Sequence, residues 1–178
     1  MKRSDINPLP QYYDRYINLV PDVELSQAFD DSLDQLDQLD RGLLGRIGDE
    51  PYAPGKWTIK DIIQHMIDAE RVMCYRALMF ARRSGATLEG FDQDLFAANA
   101  DTSRRTIDEL LDELTIVRRG TKAFYHSFDD DILLARGVSW DIDVSVLELG
   151  FTILGHQIHH ANIIRERYLV LESAGTST

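Results

Sequence analysis

The chain has 178 residues, of which 44% are hydrophobic and 28% charged, a composition typical of a soluble globular protein. Its net charge of -11 argues against binding to DNA, RNA or an anionic membrane surface, because those partners require clusters of Lys and Arg. Cys74 is the only cysteine, which excludes an intrachain disulfide, and neither a signal peptide nor a membrane-spanning run is evident, so we expect a cytoplasmic protein.

The first half of the chain is predicted to form an arm and two helices. Residues 1–22 are expected to be an extended arm, because Pro8 and Pro10 disfavour helix. A long helix is predicted over 23–47, where apolar residues recur every three or four positions. A second long helix is predicted over 59–83, and Thr58 and Asp61 at its start form a capping-box pattern.

The second half is predicted to add two more long helices, over 104–128 and 145–171. The connection over 84–102 is long enough to cross the molecule and includes a short helical piece over 92–99, whereas 129–143 is predicted to be a polar loop. Four long amphipathic helices predict an all-α fold, a four-helix bundle with one longer crossover connection. We expect one domain over 1–172 and a disordered tail over 173–178.

A histidine pattern stands out near the C-terminus. Three of the five histidines lie within Gly155–His160, and His156 and His160 share one face of a helix with a rise of about 6 Å between them. His65 lies on the apolar stripe of the second helix, where an unpaired imidazole would cost about 1–3 kcal/mol. The residues alone leave two interpretations of His65: a hydrogen-bonded core histidine, or a metal ligand shared with the C-terminal pair.

Two motifs resemble those of a known family. Gly55–Glu70 is similar to the signature W-[ST]-x(6)-H-x-x-D-x-E, and Gly155–Tyr168 is similar to G-H-x-x-H-H followed by I-R-x-R-Y. The N-terminal Pro10–Tyr13 segment and Phe91-Asp92 extend the resemblance over nearly the whole chain. On these residues the sequence resembles the DinB/YfiT-like superfamily.

That resemblance implies a four-helix bundle with one divalent metal ion, which could be zinc, nickel or iron. It implies His65, His156 and His160 as the ligands, with His159 as the competitor for the third position. A three-histidine site leaves coordination positions open, which is the arrangement of catalytic rather than structural sites. The implied partners are a small-molecule substrate, including low-molecular-weight thiols, and a second copy of the chain in a homodimer.

The function we expect is that of a metal-dependent enzyme, either a hydrolase or a low-molecular-weight-thiol transferase acting on a small molecule. The alternative is a non-catalytic stress-response module for binding or dimerisation, whose metal site is structural or vestigial. Glu70 is a candidate general base and Arg167 a candidate for binding an anionic substrate. For each of these two residues the alternative role is an ion pair.

Overall fold

The structure is a computed structural model that describes residues 1–169. Most of the described residues are helical, so the all-α prediction holds for most of the chain. The exception is a small two-stranded sheet just before the last long helix. The α-helices and strands are α1 (Asp14–Ile17), α2 (Leu25–Asp37), α3 (Arg41–Ile47), α4 (Ile59–Ala81), α5 (Gln93–Asn99), α6 (Ile107–His126), α7 (Asp130–Leu133), β1 (Arg136–Ser139), β2 (Ile142–Ser145) and α8 (Val146–Ile163). Two 3₁₀ turns (Arg3–Asp5 and Thr102–Arg104) and a π-helical turn after α8 (Ile164–Tyr168) complete the described structure.

Four long helices, α2, α4, α6 and α8, pack side by side. Among the described residues, α2 and α4 each pack mainly against α6 and α8, so that α2 and α4 stand diagonally opposite each other. The connections α2–α4 and α6–α8 therefore cross the diagonal, and the long connection α4–α6 joins neighbours. The longer crossover connection predicted over 84–102 is present: it contains α5, which packs on α4, and it returns along the bundle to the start of α4, where Thr102 donates to Asp61 and Arg105 to Gln64, so α4 and α6 run parallel.

The predicted first helix over 23–47 is two helices rather than one. Asp40 leaves helical geometry with φ -74° and ψ 89°, and its side chain accepts a hydrogen bond from the Leu43 backbone N–H. Asp40 is thus the N-cap of α3, a position that aspartate favours strongly. The helix predicted over 23–47 therefore ends at Asp37, and a second helix begins after Asp40.

The predicted polar loop over 129–143 contains α7 and the first strand of an antiparallel hairpin. Strands β1 and β2 pair with Ser139 opposite Ile142, so Trp140 and Asp141 form a two-residue turn. Both turn residues have positive φ, 53° and 61°, as a type I′ turn requires. The predicted end of the fourth helix at residue 171 and the predicted tail over 173–178 lie outside the described residues.

The N-terminal arm contains a 3₁₀ turn (Arg3–Asp5) and the short helix α1, which packs against α8. This approach depends on Gly155, since a Cβ atom there would lie 2.0 Å from the Tyr16 carbonyl oxygen. The backbone of the arm therefore rests directly on α8, beside His156.

The bundle interior has two hydrophobic clusters with polar residues between them. Helix α4 contributes Ile59–Ile67 to one cluster and Ala69–Ala81 to the other. Buried polar side chains of α4, α6 and α8 occupy the junction, among them Glu70, Arg118 and Gln157. In the described part of the chain, no helix is long and apolar enough to span a membrane.

Candidate metal centre

His65 is positioned by the start of α4. Thr58 Oγ1 accepts a hydrogen bond from the Asp61 N–H at 3.1 Å, and Asp61 Oδ2 accepts one from the Thr58 N–H at 2.9 Å, which is the predicted capping box. Asp61 also accepts a hydrogen bond from the Thr102 hydroxyl at 2.6 Å, and this contact ties the α5–α6 segment to the same helix end. The helix start is therefore fixed, and His65 falls on the buried face two turns later.

His156 and His160 are positioned by α8. This helix also begins with a capping box, formed by Ser145 and Glu148, and it is buried almost throughout from Val146 to Gln157. A helix that is apolar on all sides is buried in the core. His156 and His160, one turn apart on α8, are therefore buried as well.

The structure brings His65, His156 and His160 together. The Nε2 atom of His156 lies 3.1 Å from Nε2 of His65 and 3.1 Å from Nε2 of His160. One ring nitrogen from each of the three histidines lies within 4.8 Å of the others. His159 is outside this cluster, because its ring is half-buried and packs edge-on against Tyr16 with centroids 5.4 Å apart.

Burial keeps the three imidazoles neutral at pH 7. It lowers the pKa of His65 to about 4, although the Asp94 carboxylate acts in the opposite direction. It lowers the pKa of His160 to about 3 and that of His156 well below the usual range, and the neighbouring imidazoles lower both values further. Neutral imidazoles have free lone pairs, which metal binding requires.

The cluster fits a divalent metal ion. An ion about 2.0–2.1 Å from two imidazole nitrogens, at an angle of about 90–110°, separates those nitrogens by about 2.9–3.4 Å. The two Nε2 separations of 3.1 Å fall within that range. The imidazoles also lack enough protein partners, since Nδ1 of His160 is buried with no hydrogen-bond partner in the described structure.

Two cavities reach the histidine cluster. The first, of about 230 Å³, we call the Trp140 cavity; His65 and His156 contribute to its wall. The second, of about 270 Å³, we call the Trp57 cavity; His160 contributes to its wall. The segment leading into α5 lies along both, with Asp92 at the first and Asp94 at the second. The cluster therefore borders two cavities that have no lining residue in common.

A buried ionic network adjoins His156. Arg118 is 1% exposed and forms a bidentate pair with Glu70, with Nε–Oε1 at 3.0 Å and Nη2–Oε2 at 2.8 Å. Arg118 also donates to Gln157 Oε1 at 2.6 Å, and Gln157 donates to the Ser32 carbonyl at 3.0 Å. These bonds link all four long helices at the level of the histidine cluster.

The two further candidates from the sequence, Glu70 and Arg167, lie outside the linings of the two cavities beside the histidines. Glu70 is in the buried pair with Arg118, where both of its carboxylate oxygens are engaged, and it lines neither the Trp140 nor the Trp57 cavity. Arg167 is exposed in the π-helical turn and also lines neither of these cavities. Both placements favour the ion-pair or surface alternative over a catalytic role.

Arg76 and Arg118 are buried, which the sequence patterns did not predict. Arg118 continues the buried stripe of α6 four residues after Leu114, and Arg76 continues that of α4 three residues after Met73. A charged residue at the spacing of a buried stripe was the available signal. Because arginine is usually exposed, its presence at such a position does not by itself predict burial.

The sequence matches a family model, and the structure is similar to a solved structure. A family model described as the DinB superfamily matches residues 24–164. The structure is similar to that of YfiT from Bacillus subtilis, described as a probable metal-dependent hydrolase with an unusual four-helix bundle topology. That match has a TM-score of 0.67 and 16% sequence identity, and it covers 90% of this chain and 87% of the other. No curated protein matches the chain.

Proposed function

The chain belongs to the DinB superfamily, and from that membership and the geometry of its histidines we propose that it is a divalent-metal-dependent enzyme acting on a small molecule. In this proposal His65, His156 and His160 hold the ion. The observation that carries it is the convergence of three buried, neutral imidazoles from two helices, with Nε2 atoms 3.1 Å apart in two of the three pairs.

The leading reaction is hydrolysis. An ion held by three imidazoles supplies Lewis acidity, which polarises a carbonyl group and lowers the pKa of water to about 7. The chain's own residues prepare the site: burial keeps the imidazoles neutral, and the α4 and α8 capping boxes fix the helices that carry them. Similarity to YfiT supports the fold of such an enzyme, and its described activity motivates the choice of reaction.

Transfer of a low-molecular-weight thiol is the second candidate. The observation in its favour is the pair of cavities lined by different histidines of the cluster, since a transfer reaction must hold two substrates at once. Hydrolysis requires only one organic substrate. The two reactions are separated by assaying the metal-loaded protein on esters and amides with and without an added thiol, because only transfer requires the thiol.

The proposed ligand set is tested by zinc binding. We expect purified protein to bind one zinc ion, and His156→Ala to weaken binding by more than about 100-fold, because loss of an outer-shell partner alone costs 10–100-fold. Competition with a chromophoric chelator gives the affinity, and elemental analysis gives the stoichiometry.

His159→Ala is the matched control. It removes an imidazole from the same helix but not from the cluster, so it should bind zinc as the wild type does. Equal zinc retention by His156→Ala and His159→Ala would refute the ligand assignment. A full zinc site without activity on either substrate panel would instead favour the non-catalytic alternative.

A further inference from the structure

Arg76 is a buried cation in the wall of the Trp140 cavity. Its residue is 5% exposed, and it is the only Lys or Arg among the residues that line this cavity. Its Nη2 donates a hydrogen bond to the Glu89 carbonyl at 2.9 Å. The guanidinium also has the Tyr13 hydroxyl as a hydrogen-bonding neighbour and lies 5.9 Å from the centre of the Phe91 ring, but none of these partners carries a negative charge.

The other buried cations of the described chain each have a carboxylate partner. Lys60 pairs with Asp49 at 2.6 Å, and Arg118 pairs with Glu70 at 2.8 Å. Within residues 1–169, Arg76 forms no ion pair. Burying a charge is costly unless it is paired, so the position of Arg76 calls for an anion that the protein itself does not supply.

Arg76 and the histidines lie at separate parts of the Trp140 cavity wall. Arg76 follows His65 by eleven residues on α4, a rise of about 16 Å between their Cα atoms. Ala69 and Met73 line the wall between them, and the aromatic rings of Tyr13, Phe91 and Trp140 also line the cavity. A molecule that spans this space has a charged end, an apolar or aromatic body and a second end at the imidazoles.

We propose that the Trp140 cavity binds a carboxylate-bearing small molecule, with its carboxylate at Arg76 and its reactive group at the histidine cluster. That the bound molecule is a substrate rests on the proposed function. A monoanion fits better than a phosphate, because the cavity lining has one guanidinium and no lysine. The lining also contains the Asp92 carboxylate, whose Oδ1 caps α5 and which would repel a dianion more strongly.

The test compares carboxylates with their neutral amides. Benzoate, 3-phenylpropanoate and 5-phenylpentanoate, each with its primary amide, are titrated into chelator-treated protein and into zinc-loaded protein, and binding is followed by NMR. We expect the wild type to prefer the best carboxylate over its amide by about 10-fold or more in both forms, because a charge-assisted hydrogen bond is lost with the amide. Arg76→Gln should abolish that preference while leaving amide binding unchanged.

Arg82→Gln is the matched control, since Arg82 lies one residue beyond α4, is exposed and does not line the cavity. It should keep the full preference, and Arg76→Lys should keep part of it because the charge is retained. Circular dichroism checks the fold of each variant. If Arg76→Gln does not fold, the wild-type preference and its reduction in Arg76→Lys decide the matter.

Three outcomes would overturn the inference: no preference in the wild type, a full preference in folded Arg76→Gln, or a preference that exists only with zinc. In the last case the carboxylate binds the ion, so the proposed metal site would be supported while the role of Arg76 would fail. Conversely, a preference that depends on Arg76 in a protein that binds no zinc would keep the anion site and refute the metal site.

Discussion

Gly155→Ala tests whether the N-terminal arm is seated on α8 as the structure shows. The added Cβ would lie 2.0 Å from the Tyr16 carbonyl oxygen and 2.4 Å from its carbonyl carbon, where ordinary contacts are 3.4–4 Å. The neighbouring atoms are backbone, so no side-chain rotation relieves the overlap. The arm must move by more than 1 Å relative to α8, and this carries the Tyr16 ring away from the His156 ring, now 5.2 Å away between centroids.

Two effects of opposite sign contribute to the change in stability. Replacing a helical glycine with alanine stabilises by about 1 kcal/mol through helix propensity. Overpacking of a close contact destabilises by about 1–3 kcal/mol, and more where the backbone cannot yield. We therefore expect Gly155→Ala to be neutral to destabilising by about 2 kcal/mol relative to the wild type.

Gly120→Ala separates these effects, because Gly120 is exposed in the interior of α6 and a Cβ atom there would meet no other atom within 4 Å. It should stabilise by about 1 kcal/mol. Urea unfolding of the two variants then gives the packing cost as their difference, about 1–3 kcal/mol. If Gly155→Ala stabilised the protein as much as Gly120→Ala, the arm would not rest on α8 and the position of Tyr16 would be wrong.

Three further predictions concern the interior and the assembly. Glu70→Gln and Arg118→Met should each destabilise by about 3–5 kcal/mol, because each leaves a buried charge unpaired, and the double variant should lose less than their sum in urea unfolding. Burial raises the pKa of the Cys74 thiol to about 11, so iodoacetamide at pH 8 should label the native protein far more slowly than the unfolded one, and equal rates would contradict that environment. The family resemblance predicts a homodimer, so light scattering should give twice 20.3 kDa, about 41 kDa, whereas a mass near 20 kDa would refute it.

The histidine cluster could be predicted because its geometry is local. The spacing of His156 and His160 places both rings on one face of any helix, and His65 lies on an apolar stripe that must face the core. The contact between α4 and α8 could not be derived from local patterns, and the family resemblance supplied that expectation. The same local logic predicted the capping box at Thr58, which the structure confirms.

The features that sequence reasoning missed depend on tertiary context. Nothing in the periodicity around Asp40 distinguishes an N-cap from one more acidic residue on a solvated face. The hairpin turn at Trp140 and Asp141 lacks the Asn-Gly pattern that marks type I′ turns, so its positive φ values follow from packing rather than from residue type. Tyr12 supplies part of that packing, with its ring 4.8 Å from that of Trp140.

Three connecting segments contribute to the wall of the Trp140 cavity: the arm with Tyr12, the residues 90–92 before α5, and the hairpin turn with Trp140. The imidazoles, in contrast, belong to α4 and α8. Surface connections accept substitutions and insertions that a packed helix does not. Residues of these connections can therefore change in evolution or by engineering, and reshape part of the cavity wall, while α4 and α8 keep the imidazoles and Arg76 in place.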